Sequence, residues 1–167
     1  MAGVVANAGP LMALAKLNLL HLLQALYGRV SFATSVYDEV VVGGLTGGFE
    51  DARTLQRFLR QQGWSAAPAG DLPEALRGAG LDRGERDSIA LALEQGGLLL
   101  IDEERGREAA VQLDLLVRGT LGILIQAYRS GLITADQLRF YFGQIEERND
   151  IWISPALCRR LLRRVLG

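Results

Sequence analysis

Cysteine, histidine and lysine each occur once, as Cys158, His21 and Lys16, and proline only four times, in a chain of 167 residues. A single cysteine excludes an intrachain disulfide framework and any multi-cysteine zinc or iron–sulfur site, and it fits a reducing compartment. Cys158 lies on a terminal helical pattern among apolar and arginine neighbours, where a buried, inert thiol is expected. His21 sits among leucines on a helix expected to face the core, which argues against a hydrolase built on a histidine base. No Gly-x-x-x-x-Gly-Lys-Ser/Thr loop occurs, and the glycines do not form a dinucleotide fingerprint behind the first strand, so no nucleotide cofactor is indicated.

Excess charge of either sign is also missing. Eighteen Lys+Arg against 19 Asp+Glu leave a formal net charge of −1, so no global field draws the protein to nucleic acid or to a membrane. The apolar stretch from Leu11 to Leu26 is interrupted by Lys16, Asn18, His21 and Gln24 and reads as an amphipathic helix or helix pair. Met1-Ala2-Gly3-Val4 lacks the positive region of a signal peptide. A cytoplasmic chain with no membrane partner is expected. With 49% hydrophobic and 22% charged residues, residues 1–167 are expected to form one folded domain.

Val4 to Ala6 and Leu98 to Ile101 are short apolar runs of the kind buried inside parallel sheets. Val30 to Phe32, a segment around Trp64, and Leu115 to Val117 are candidate further strands. Helical patterns run over Ser35–Val42, Glu50–Gln62, from Asp82 to Gly96-Gly97, Glu104–Leu113, in two helices from Gly122 to about Ile145, and over Pro155–Leu166. The glycines from Gly43 to Gly48 read as a flexible loop. Strands alternating with helices across short loops predict an α/β fold of three layers, with a mainly parallel central sheet flanked by helices.

Ligands of such sheets sit at the carboxyl ends of the strands, which here are marked by Asn7 and by Asp102-Glu103. Carboxylates are the remaining groups able to carry chemistry. Glu85 fits a capping box opened by Asp82, yet it also shares a stripe with Ile89, Ala92 and Leu93, which points it toward the sheet; cap and ligand are both open. Ser35 to Asp38 reads as a second capping box, which leaves Glu39 without a local role. Asp102 either caps the helix from Glu104 or serves as a ligand, and Glu103 and Glu104 favour that helix's positive end. Clustered carboxylates repel unless a divalent cation neutralises them, and hard oxygen donors without His or Cys select magnesium or manganese.

The run Val4-Val5-Ala6-Asn7-Ala8-Gly9-Pro10-Leu11, the Val36-Tyr37-Asp38-Glu39-Val40 segment, Leu81-Asp82-Arg83-Gly84-Glu85 with Ala90-Leu91-Ala92, and Leu100-Ile101-Asp102-Glu103 with Gly106-Arg107 resemble the successive motifs of the PIN-domain family. Gly119-Thr120-Leu121-Gly122 and Ile153-Ser154-Pro155-Ala156-Leu157 are similar to the same prokaryotic PIN-like branch. The resemblance implies a metal-dependent endoribonuclease related to VapC-type toxins, with RNA as substrate, a cognate antitoxin as partner, and a homodimer. It implies Glu39, Glu85 and Asp102 as catalytic acids, and Asn7, Glu39, Glu85, Asp102 and Glu103 as the metal set. Asn7 falls where the family usually has an Asp. An amide is a weaker ligand than a carboxylate, so the alternative implied is a degenerate PIN domain that binds RNA or protein without cleaving. Arg53, Arg57 and Arg60, and the Arg159-Arg160 and Arg163-Arg164 pairs, form basic faces open to solvent or to an anionic partner. A receiver-like signalling domain is the weaker α/β reading, since its acidic pair and late lysine are missing.

Overall fold

A computed structural model describes residues 3–167. The chain forms two compact units, one ending at Gly119 and the other spanning Thr120–Gly167.

In the first unit three parallel strands lie in the order β1 (Val4–Ala6), β2 (Leu98–Leu100), β3 (Leu116–Arg118). Val4, Val5 and Ala6 pair with Leu98, Leu99 and Leu100, and these pair with Leu116, Val117 and Arg118. Val5, Ala6, Leu99 and Leu100 are buried, as expected for strands covered by helices. Gly3 and Gly97 face each other at the start of this ladder. A Cβ at Gly97 would run into the Gly3 backbone, while the Leu98 N–H donates to the Gly3 carbonyl at 2.9 Å.

Around the sheet run α1 (Ala8–Lys16), α2 (His21–Tyr27), α3 (Thr34–Tyr37), α4 (Gly43–Thr46), α5 (Glu50–Gln62), α6 (Arg83–Gln95) and α7 (Glu104–Gln112). Helix α6 packs on β1 and β2, and α7 on β3. The α/β class and the parallel sheet flanked by helices are therefore as expected.

Several local expectations are corrected. Val30 to Phe32 forms no strand: Ser31 makes an isolated bridge to Val5, and Ala33, just beyond the segment, makes one to Ala67, because α3 begins at Thr34. Trp64 belongs to no strand. Gly63, at φ 69°, ends α5 in the left-handed conformation, the Trp64 N–H returns to the Leu59 carbonyl at 3.0 Å, and the indole packs edge-on against Phe58. This glycine-terminated helix end folds the Trp64 backbone onto the helix. His21 is exposed, not core-facing. The left-handed Asn18 (φ 58°) splits the apolar run into two helices of different phase, and α2 buries Leu22 and Leu23 instead.

Gly43 to Thr46 is helical rather than a loop. A π-helical segment, Asp38–Val42, joins α3 to α4, and a Cβ at Gly44 would meet that of Ala52 at 2.5 Å. The bare glycine lets α4 lie against α5, and that packing offsets its poor helix propensity. Ser35 does not open a capping box, since α3 starts one residue earlier with Ala33 at its N-cap. Its hydroxyl donates to Asp87 Oδ2 at 2.6 Å.

The second unit holds α8 (Thr120–Arg129), α9 (Ala135–Glu147) and α10 (Pro155–Leu166). Thr134 and Gln137 form a capping box on α9, and Ser154 Oγ accepts from the Leu157 N–H at the start of α10. Cys158 is fully buried. Burial, followed by the charge of Glu146, pushes its thiol up to about 11, in keeping with an inert thiol. No helix of the described residues is long and apolar enough to cross a membrane.

Candidate functional site

The strands β1 and β2 end side by side, with the Asn7 N–H donating to the Leu100 carbonyl at 2.9 Å. The parallel register thus sets Asn7 at the same end of the sheet as Asp102 and Glu103. Asn7 is buried, and its Oδ1 accepts a hydrogen bond from Ser88 Oγ at 3.1 Å. Ser88 is three residues beyond Glu85 on α6, so both present one helix face to the strand ends.

Glu85 performs the capping role that its sequence suggests. Its N–H donates to Asp82 Oδ1 at 2.8 Å, and its own Oε2 accepts from the Asp82 N–H at 3.2 Å. Glu85 is nonetheless buried, and its carboxyl titrates above the usual range. Burial is the first cause; the Asp82 N–H opposes it, while the charges of Asp82 and Glu103 add to it. Cap and acidic neighbour are therefore the same side chain.

Glu39 reaches this group from the π-helical segment, a form of helix often found where side chains must be re-aimed. A Cβ at Gly84 would lie 3.3 Å from Glu39 Oε2 and 3.6 Å from Asp82 Oδ1. Two carboxylates thus converge on the space left by a glycine. The Glu39 residue is exposed, but its carboxyl end turns in against Gly84, and loss of solvent, then the Asp82 charge, raises its pKa.

Asp102 lies between two other glycines. A Cβ at Gly9 would lie 3.2 Å from its Oδ2, and one at Gly119 would lie 2.8 Å from its Oδ1 and 2.9 Å from Arg107 Nη1. The N-cap of α7 is Glu103, which makes no side-chain cap bond, so helix capping does not account for Asp102. Arg107 Nη1 donates to the Ile101 carbonyl at 3.1 Å. Sequence reasoning treated Asp82 as a cap alone and passed over Ser88 and the placement of Arg107. For Ser88, spacing from Glu85 on one helix face was the available signal.

These donors are hard oxygens, the kind that suit magnesium or manganese; the pKa values of Glu39 and Glu85 are raised by loss of solvent first and by neighbouring acid charge second, and a bound cation opposes both. Among the described residues, no three His, Cys, Asp or Glu side chains stand close enough together to hold one ion. The donor set thus fits a hard divalent cation in kind.

No curated protein and no solved structure matches the chain. A family model does, that of DUF3368, described as a PIN domain, and it covers residues 3–166. PIN domains are nuclease folds that typically use divalent metals. With nearly the whole chain matched, the protein belongs to the PIN-domain family.

Proposed function

We propose that the protein is a metal-dependent endoribonuclease acting at the carboxyl end of its parallel sheet, and that it is the toxin of a toxin–antitoxin pair. The observation that carries this reading is the convergence of Glu39 and Asp82 on Gly84, with Glu85 buried beside Asp82, where burial first and neighbouring acid charge second raise the pKa of Glu39 and Glu85. Carboxylates confined in this way store repulsion that a cation bound between them releases. The metal ligands on this reading are Glu39, Glu85, Asp102, Asn7 and Glu103, which would have to draw closer than they stand to share one magnesium or manganese ion; when bound, the ion supplies the Lewis acidity for phosphodiester hydrolysis. The protein's own part is positional. Helix α6 fixes Glu85 through its capping bonds, the π segment aims Glu39, and the strand end places Asp102. A cytoplasmic homodimer neutralised by a small antitoxin completes the reading.

The hydrogen bond from Ser88 to Asn7 favours a second reading, a PIN domain that binds RNA or a protein partner without cutting, because it commits the amide oxygen to the fold. Calorimetric titration of magnesium and manganese, beside an RNA cleavage assay, separates the two. Under the nuclease reading the wild type binds metal and cuts, Asp102→Asn stops cutting, and Asn7→Asp tightens binding by replacing an amide oxygen with a charged one. No metal binding and no cutting by either the wild type or Asn7→Asp leaves only the binding module.

A further inference from the structure

The candidate site has a charge problem. Its described acids, Glu39, Asp82, Glu85, Asp102 and Glu103, repel the phosphodiester they are to act on, and substrate binding therefore calls for a cation on the protein side. Arg107 is the guanidinium that the fold places there. It springs from the second turn of α7, is half-buried, and is tied by Nη1 to the Ile101 carbonyl, the residue immediately before Asp102. Its Nη1 and Asp102 Oδ1 flank the same small space beside Gly119, and a single added methyl there would displace both tips.

We propose that Arg107 is the phosphate-binding residue of this site, holding the RNA phosphodiester next to Asp102 with the guanidinium nitrogens that the Ile101 anchor leaves over. The inference rests on the nuclease reading above. The guanidinium suits the task because it stays charged at any working pH and presents five N–H donors in a planar fork. One donor is spent on Ile101, which fixes the plane, and the others remain to grip phosphate oxygens with the geometry of a charge-assisted pair. The carbonyl anchor also explains how a flexible arginine keeps one position without using up its charge.

The test measures RNA binding separately from cutting. A fluorescein-labelled single-stranded RNA is titrated with the full chain in EDTA, by anisotropy, over a series of salt concentrations. Arg107→Ala is expected to raise Kd about tenfold and to reduce the slope of log K against log salt by about 0.7, the loss of one phosphate contact on a single strand. Arg107→Lys is expected to recover the slope and only part of the affinity, because a point charge replaces the fork. Arg139→Ala, on the exposed face of α9, is the matched control for loss of one positive charge. If Arg107→Ala unfolds, Arg107→Gln, which retains a donor for the Ile101 carbonyl, is judged by the same two criteria.

An unchanged Kd and slope in the Arg107 variant overturn the inference, as does a weaker Kd with an unchanged slope and a lowered Tm, the mark of a purely structural residue. A wild type that cuts RNA with magnesium or manganese while the variant binds like wild type removes this inference alone. A wild type that neither binds in EDTA nor cuts with metal removes the nuclease reading and the inference together.

Discussion

At Glu39, loss of solvent and the nearby Asp82 charge act in the same direction, so the carboxyl holds its proton more readily in the folded chain than in the unfolded one. A folded pKa above the unfolded value gives stability that is present at low pH and is lost as pH rises from the ordinary value of 4.5 through the raised one. Glu39→Gln, which is neutral at every pH, is therefore expected to raise Tm at pH 7 in EDTA and to give no gain near pH 4. Equal gains at both pH values would assign the effect to packing rather than charge. Ser88 is the opposite case, a neutral hydroxyl whose removal leaves a buried acceptor unmet. Ser88→Ala is expected to cost about 1–3 kcal/mol in urea unfolding, from the unsatisfied Asn7 Oδ1. A loss near zero would show that Asn7 finds another donor. Glu85 was legible because a spacing of four to Ile89 marks the buried face. The repulsion between Asp82 and Glu39 was not, since the two lie far apart in sequence.

Helix ends were largely readable, because the signals are local. Asp82 with Glu85, Gly96 after α6, and Ser154-Pro155 before α10 each satisfy orphan backbone groups within a few residues. Helix α4 was not readable, because its two glycines announce a loop and it is the close packing of Gly44 against α5 that accommodates a helix there. Trp64 was misread for the same reason: its β-favouring side chain is overruled by the left-handed Gly63. Helix α6 carries one feature with no cap or site role, the Arg86 Nε, which is buried with no hydrogen-bond partner among the described residues. A buried donor left unmet weakens the helix that bears it. Arg86→Met, similar in reach and with no such donor, is expected to stabilise the protein by about 1 kcal/mol, read as a higher urea midpoint with an unchanged m-value. A lower midpoint would mean that the guanidinium's other nitrogens hold contacts worth more than the Nε loses.

Over the whole molecule, the near-balance of 18 positive and 19 negative side chains conceals local concentrations, with Asp102 and Glu103 following β2 and arginines on exposed helical faces. Composition shows the balance, and only the fold shows the gathering. If the acids hold a divalent ion, the ion binds the folded chain and not the unfolded one. Magnesium or manganese at about 100 times Kd is then expected to add about 2.7 kcal/mol to stability, seen as a rise in Tm that EDTA reverses. No shift with either ion would argue for the non-catalytic reading. The parallel α/β class was legible from two apolar runs and their helices, whereas the reduction of Val30 to Phe32 to an isolated bridge was not, because the start of a helix at Thr34 competes for the same backbone. The contact of Gly3 with Gly97 reaches furthest across the sheet. β1 and β2 are three-residue strands clasped at one end by bare backbone, and Asn7 and Asp102 project from the other. Any side chain at position 97 would act as a wedge at the hinge of a pair of tongs, opening the jaws at the far end. The spacing of the candidate site is thus governed by a position that touches none of its residues, and a screen for lost activity would find Gly97 alongside the acids themselves.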